Sequence, residues 1–99
     1  MTVLYMINKS PLMHNNLETC LRIAPPGEPV LMYEDGVYGV APGTKAEALV
    51  REALQAHPVY ALKADLEARG LLQYIEGVEV IDYDGFVALV EEHHVVPWL

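Results

Sequence analysis

The stretch Thr2-Val3-Leu4-Tyr5-Met6-Ile7 is almost wholly apolar and rich in strand-favouring residues, and it limits the fold more than any other part of the chain. A strand with one wet face alternates polar and apolar side chains. An unbroken apolar run needs cover on both faces, as in a parallel sheet between layers of helix. The run falls well short of the roughly 20 apolar residues that cross a bilayer, and no longer one occurs elsewhere in the chain. It carries neither a basic leader nor a small-residue cleavage site, so it reads as a strand rather than a signal peptide.

Beyond Ile7 the pattern alternates helix and strand. Lys9-Ser10-Pro11 breaks the first strand. Leu17, Cys20, Leu21 and Ala24 then recur at helical spacing over Asn15 to Ala24, with Asn15 or Asn16 as N-cap and Pro25-Pro26-Gly27 as the stop. Pro29 to Tyr33 is a second apolar strand that runs into a turn at Glu34-Asp35-Gly36. Thr44 and Glu47 fit a capping box ahead of the stripe Ala46, Leu49, Val50, Ala53 and Leu54. Val59 to Leu62 is a third strand, and Ala64 to Arg69 a short helix with Gly70 suited to its C′ position. Val78 to Ile81 is a fourth strand. Asp82 or Asp84 caps a helix reaching about His93, with Tyr83, Phe86, Val87 and Val90 expected as its buried face. In the tail Val95-Val96-Pro97-Trp98, Pro97 argues for an edge strand. The expected fold is α/β: one domain over residues 1–99, a three-layer sandwich around a mostly parallel sheet of four or five strands.

Fourteen acidic residues against six basic ones give a formal net charge of −8, which disfavours direct contact with nucleic acid. The 53% hydrophobic content is ample for a core and leaves a surplus that suits an oligomer interface, a homodimer of the isolated chain included. A single cysteine forms no internal disulfide, and the expected setting is reducing cytoplasm. No glycine-rich phosphate loop or Gly-x-Ser-x-Gly elbow is present, and His14, His57, His93 and His94 have no metal-ligand spacing. Neither cofactor nor metal is expected. In parallel sheets ligands bind beyond the carboxyl ends of the strands. Here Lys9, Asp35, Lys63 and Asp82 stand there, a cleft in which the two lysines suit a small anion and the carboxylates oppose it.

Cys20 is the one strong nucleophile. It shares a helical face with Leu17, Leu21 and Ala24, which favours a small buried hydrophobe. A reactive thiol would need partial exposure and a nearby cation or helix N-terminus.

The chain resembles the DsrH/TusB family of sulfur-relay subunits. The likeness rests on the opening strand into Lys9-Ser10-Pro11, on Tyr33-Glu34-Asp35-Gly36-Val37-Tyr38, on Leu62-Lys63-Ala64-Asp65-Leu66-Glu67-Ala68-Arg69-Gly70-Leu71, on Ile81-Asp82-Tyr83-Asp84-Gly85-Phe86-Val87, and on Trp98 next to the C-terminus. It implies a DsrE-like fold and assembly with two paralogous subunits of DsrE/DsrF (TusD/TusC) type. Such complexes exchange persulfide sulfur with small carrier proteins, for 2-thiolation of the tRNA wobble uridine or for dissimilatory sulfur metabolism. Within the resemblance Cys20 is the candidate persulfide carrier, as in DsrH-type members that have a cysteine in the first helix. The alternative is a non-catalytic subunit beside a partner that carries the sulfur. Sulfur relay proceeds by attack of a thiolate on a persulfide sulfur. Val37, Tyr38 and Val40 are the expected interface residues.

Overall fold

The computed structural model describes residues 2–99, so Met1, which heads the expected leaderless start, lies outside the described residues. Five strands form one sheet: β1 (Val3–Ile7), β2 (Val30–Met32), β3 (Val59–Leu62), β4 (Glu79–Ile81) and β5 (His94–Pro97). Their order is β4-β3-β2-β1-β5 and every neighbouring pair is parallel. Four helices accompany them: α1 (Asn16–Ile23), α2 (Glu47–Ala56), α3 (Lys63–Ala68) and α4 (Tyr83–Glu92). A 3-10 turn over Glu34–Val40 comes after β2, where the sequence suggests a simple turn at Glu34 to Gly36.

Both faces of β1 are covered, as its unbroken apolar run requires. Tyr5 and Ile7 face a core shared with Leu17 and Cys20 of α1, Val50 and Ala53 of α2, Leu66 of α3, and Val37 and Val40 of the 3-10 turn. Leu4 and Met6 face the other side with Leu31, Leu62 and Ile81, under Leu89 of α4. Each of the large side chains sealed here contributes about 1.5–3 kcal/mol of hydrophobic stabilisation. The layers are unequal: three helices and the turn cover one face, and α4 alone covers the other.

That asymmetry corrects one expectation. Of the residues assigned to the buried face of α4, only Phe86 packs inward. Tyr83, Val87 and Val90 are 61%, 50% and 38% exposed. The helix is apolar on two sides, and the sheet takes the side that carries Leu89 and Phe86, while the Asp82 cap fixes where the helix starts. Asp82 extends the backbone and its Oδ1 accepts from the Gly85 N–H at 2.9 Å.

Other caps also differ in detail. Asn15 precedes α1 but makes no side-chain cap bond. Thr44 Oγ1 accepts from Ala46 N–H at 3.1 Å, and Glu47 Oε1 accepts from Gly43 N–H at 2.7 Å, one residue earlier than in a standard capping box. The α3 terminus matches its expectation. Gly70 has φ +67°, its N–H donates to Glu67 O and that of Leu71 to Leu66 O, which is a Schellman closure. The tail forms β5 at the sheet edge, where the missing N–H of Pro97 is harmless.

Candidate functional site

Cys20 is the fifth residue of α1, beyond the first turn in which the helix dipole acts, and it has no exposed surface. Its side chain belongs to the core cluster that holds Tyr5, Leu17 and Ala24. Arg22 turns away to pair with Glu18 at 2.7 Å, so it offers no positive charge to the sulfur. Burial pushes the Cys20 thiol up to about 11, and the same cause, with the carboxylate charge of Glu28 behind it, raises the Tyr5 phenol. At neutral pH such a thiol is ionised in about one molecule in ten thousand.

The tail closes over this helix. Trp98 donates from Nε1 to Thr19 Oγ1 at 3.0 Å and accepts through its carbonyl from Asn16 Nδ2 at 3.3 Å. Its ring meets Tyr5 edge-on, with centroids 6.0 Å apart.

The strand-end residues take the sheet order along one edge, with Asp82 after β4, Lys63 after β3, Asp35 after β2 and Lys9 after β1. Because adjacent strands lie about 4.8 Å apart, the four residues spread along the edge rather than converge on one point. Lys9, Lys63 and Asp82 are exposed, and neither lysine has an ion-pair partner among the described residues. Asn8, at the end of β1, keeps a buried Oδ1 with no hydrogen-bond partner among the described residues.

Asp35 is committed elsewhere. Arg69 donates to its Oδ1 from Nε and Nη2 at 3.1 and 2.8 Å, and from Nη1 to the Asp65 carbonyl at 3.1 Å. The Asp35 hydrogen bond raises the Arg69 guanidinium further above its ordinary value. Asp65 Oδ2 in turn accepts from the Glu34 N–H at 2.7 Å, holding Glu34 at a left-handed φ of +46°. The guanidinium also lies 5.8 Å from the centroid of the Tyr38 ring. From the sequence, Arg69 and Asp65 have no role beyond a short helix. Their i, i+4 spacing on α3 is the available signal, and their partner across the loop is not visible from it.

This network pins the 3-10 turn to α3 and corrects the interface assignment of Val37 and Val40. Both have no exposed surface, because the turn curls them into the chain's own core, while Tyr38 stays half-buried beneath Arg69. Gly36 permits that course: a Cβ there would sit 2.2 Å from the Ile7 carbonyl oxygen.

Of the histidines, His57 is buried at the end of α2 with Nδ1 2.9 Å from Glu28 O, and His93 contacts Thr2 Oγ1. Among the described residues no group of three His, Cys, Asp or Glu side chains forms a metal-ligand set. No described helix is long and apolar enough to cross a membrane.

Comparison with known proteins agrees with this architecture. The family described as "DsrH like protein" matches residues 9–96. Protein TusB of Serratia proteamaculans is 37% identical over 93 residues, covering 92% of this chain and 94% of that one. Protein TusB of Escherichia coli K12 is 34% identical over 92 residues, again covering 92% and 94%. Among solved structures, MTH1491 of Methanobacterium thermoautotrophicum, titled as of unknown function, superposes with TM-score 0.70 at 19% identity and covers 97% of each chain. The ychN protein of E. coli superposes with TM-score 0.69 at 17% identity, covering 98% of this chain and 99% of that one. At such identities the two structures speak for the fold alone.

Proposed function

The chain belongs to the DsrH family, and on that premise we propose that it is a structural subunit of a cytoplasmic sulfur-relay assembly serving tRNA thiolation. In this reading two paralogous subunits of DsrE/DsrF (TusD/TusC) type complete the complex, and a cysteine on one of them exchanges persulfide sulfur with small carrier proteins. The TusB names of the relatives support the tRNA branch over dissimilatory sulfur metabolism. The surplus of acidic residues supports protein partners over direct contact with RNA.

One observation carries the assignment of a structural rather than a sulfur-carrying role. The chain's single thiol is sealed in the core and held protonated, so it meets neither need of persulfide exchange, access and ionisation. For Cys20 to act as the carrier, α1 would have to lift from Tyr5 and Trp98 and break the Thr19 contact. An anion-binding role at the strand ends has less support. Lys9 and Lys63 come after strands two places apart, about 10 Å, with the carboxylates of Asp35 and Asp82 on the same edge.

Intact-mass spectrometry after exposure to a persulfide donor tests the role of Cys20. The folded chain is expected to stay unmodified, and the denatured chain to gain reductant-labile sulfur that Cys20→Ser abolishes. Labile sulfur on the folded wild type, absent from Cys20→Ser, would make Cys20 the carrier and overturn the structural role.

A further inference from the structure

The outward side of α4 is built unlike the rest of the surface. Tyr83, Val87 and Val90 stand at i, i+4 and i+7, so they form one continuous exposed stripe rather than scattered apolar residues. Asp84 and Glu91, three residues before and four after Val87, lie together along one border of the stripe and are exposed. Exposed Glu92 adds a further negative charge at the C-terminal end of the helix. There the macrodipole opposes acidic residues, so Glu91 and Glu92 work against the stability of α4. Neither is in an ion pair among the described residues.

The imbalance extends beyond the helix. All six Lys and Arg residues lie at or before Arg69, and the segment from Gly70 to Leu99 contains six acidic residues and no Lys or Arg. Because α4 is the sole cover on its side of the sheet, Tyr33, Tyr60 and Val95 beneath it remain partly open. Apolar surface therefore continues from helix to sheet, with the carboxylates of Glu79 and Glu92 near Tyr60.

We infer that this face of α4 docks another protein subunit, one that presents an apolar patch rimmed by lysine or arginine. A second copy of the chain does not fit. In a two-fold contact with antiparallel α4 helices Asp84 of one copy would meet Glu91 of the other, and with parallel helices the second copy's stripe, which has no Lys or Arg, would leave those carboxylates without a cationic partner. A basic rim instead neutralises the bordering carboxylates and relieves the unfavourable charges at the helix end. The inference rests on the reading of the chain as a subunit of a hetero-oligomer, and it names the face and the chemistry of the contact.

The test measures binding of the full chain to its co-purified pair of paralogous subunits, with sedimentation of the chain alone as a companion. Wild type is expected to bind, and to bind about tenfold or more weakly as NaCl rises from about 0.05 to about 0.5 M. Val87→Asp and, separately, the double change Glu91→Lys with Glu92→Lys are each expected to weaken binding about tenfold or more while thermal melting stays cooperative. The charge reversal alters exposed side chains alone, so it decides the matter if Val87→Asp fails to fold. Wild-type binding with unchanged affinity in both variants overturns the α4 surface and leaves the subunit reading standing. Failure of the wild type to bind the pair overturns both. A wild-type homodimer dissolved by Val87→Asp would make a second copy the occupant and overturn the inference.

Discussion

The indole N–H of Trp98 donates to the Thr19 hydroxyl at 3.0 Å, joining the tail to the helix that buries Cys20. The bond is reinforced by the edge-on contact of the same ring with Tyr5. Replacing Thr19 by Val keeps the shape and strands the donor, at an expected cost of about 1–2 kcal/mol. Trp98→Ala, which also empties the ring's place, is expected to cost about 3 kcal/mol or more. Equilibrium unfolding in urea reads both, and amide exchange in β5 should accelerate in each.

Two glycines with different reasons for being glycine should respond differently to alanine. At Gly36 the added Cβ meets the Ile7 carbonyl oxygen at 2.2 Å, backbone against backbone, so the 3-10 turn must leave the end of β1. Gly36→Ala is expected to cost about 3 kcal/mol or more. At Gly70 the space is open and the φ of +67° is the sole obstacle. Gly70→Ala is expected to cost about 1–2 kcal/mol. Similar losses in a thermal-melt comparison would contradict the packing account of Gly36.

Alkaline pH should expose the state of Cys20. Its folded pKa of about 11 lies above the ordinary thiol value of 9.0, so between those values the unfolded chain has lost a proton that the folded chain retains. Stability therefore falls as pH rises through that window, with a slope from this group of at most about 1.4 kcal/mol per pH unit. Below pH 9 the contribution of this thiol is constant. Urea titrations of wild type and Cys20→Ala across the window should differ in slope by this amount. A parallel pair of curves would show that the thiol is not held protonated.

The Arg69 network should be worth more from the arginine side than from the carboxylate side. The Asp35 side chain is 63% exposed, so its ion pair is screened, and Asp35→Ala is expected to cost less than about 1 kcal/mol. The Arg69 side chain is 21% exposed and also packs over Tyr38 and bonds the Asp65 carbonyl. Arg69→Ala is expected to cost about 1–2 kcal/mol. The ranking, read by urea midpoints, is the check; equal costs would assign the network to the ion pair alone.

Much of the fold is legible in the sequence because parallel-sheet strands carry their own signature. The apolar runs at Val3–Ile7 and Val59–Leu62 need cover on both sides, and Gly70 and Asp82 mark helix ends by their backbone chemistry. The inward side of α4 is not legible, because a helix apolar on two sides offers two equally good phases and the sheet selects one. The fate of Val37 and Val40 is hidden for a related reason: a 3-10 turn has no long periodicity, and its direction is set by Gly36 meeting β1 some thirty residues earlier. For Cys20 the buried reading comes from its neighbours at helical spacing, and the core cluster contains it.

The placement of β5 has a consequence for synthesis. On one side β1 pairs with β5, Val3 opposite His94, so that edge of β1 stays bare until residues 94–97 have left the ribosome. The growing chain meanwhile carries an almost wholly apolar strand with an open backbone edge, the kind of surface that recruits stray strands. A chain cut before His94 would keep that edge for good. The few residues from His94 to Pro97 thus replace the exposed edge of the apolar β1 with that of a shorter strand ending in proline, an edge less able to template pairing.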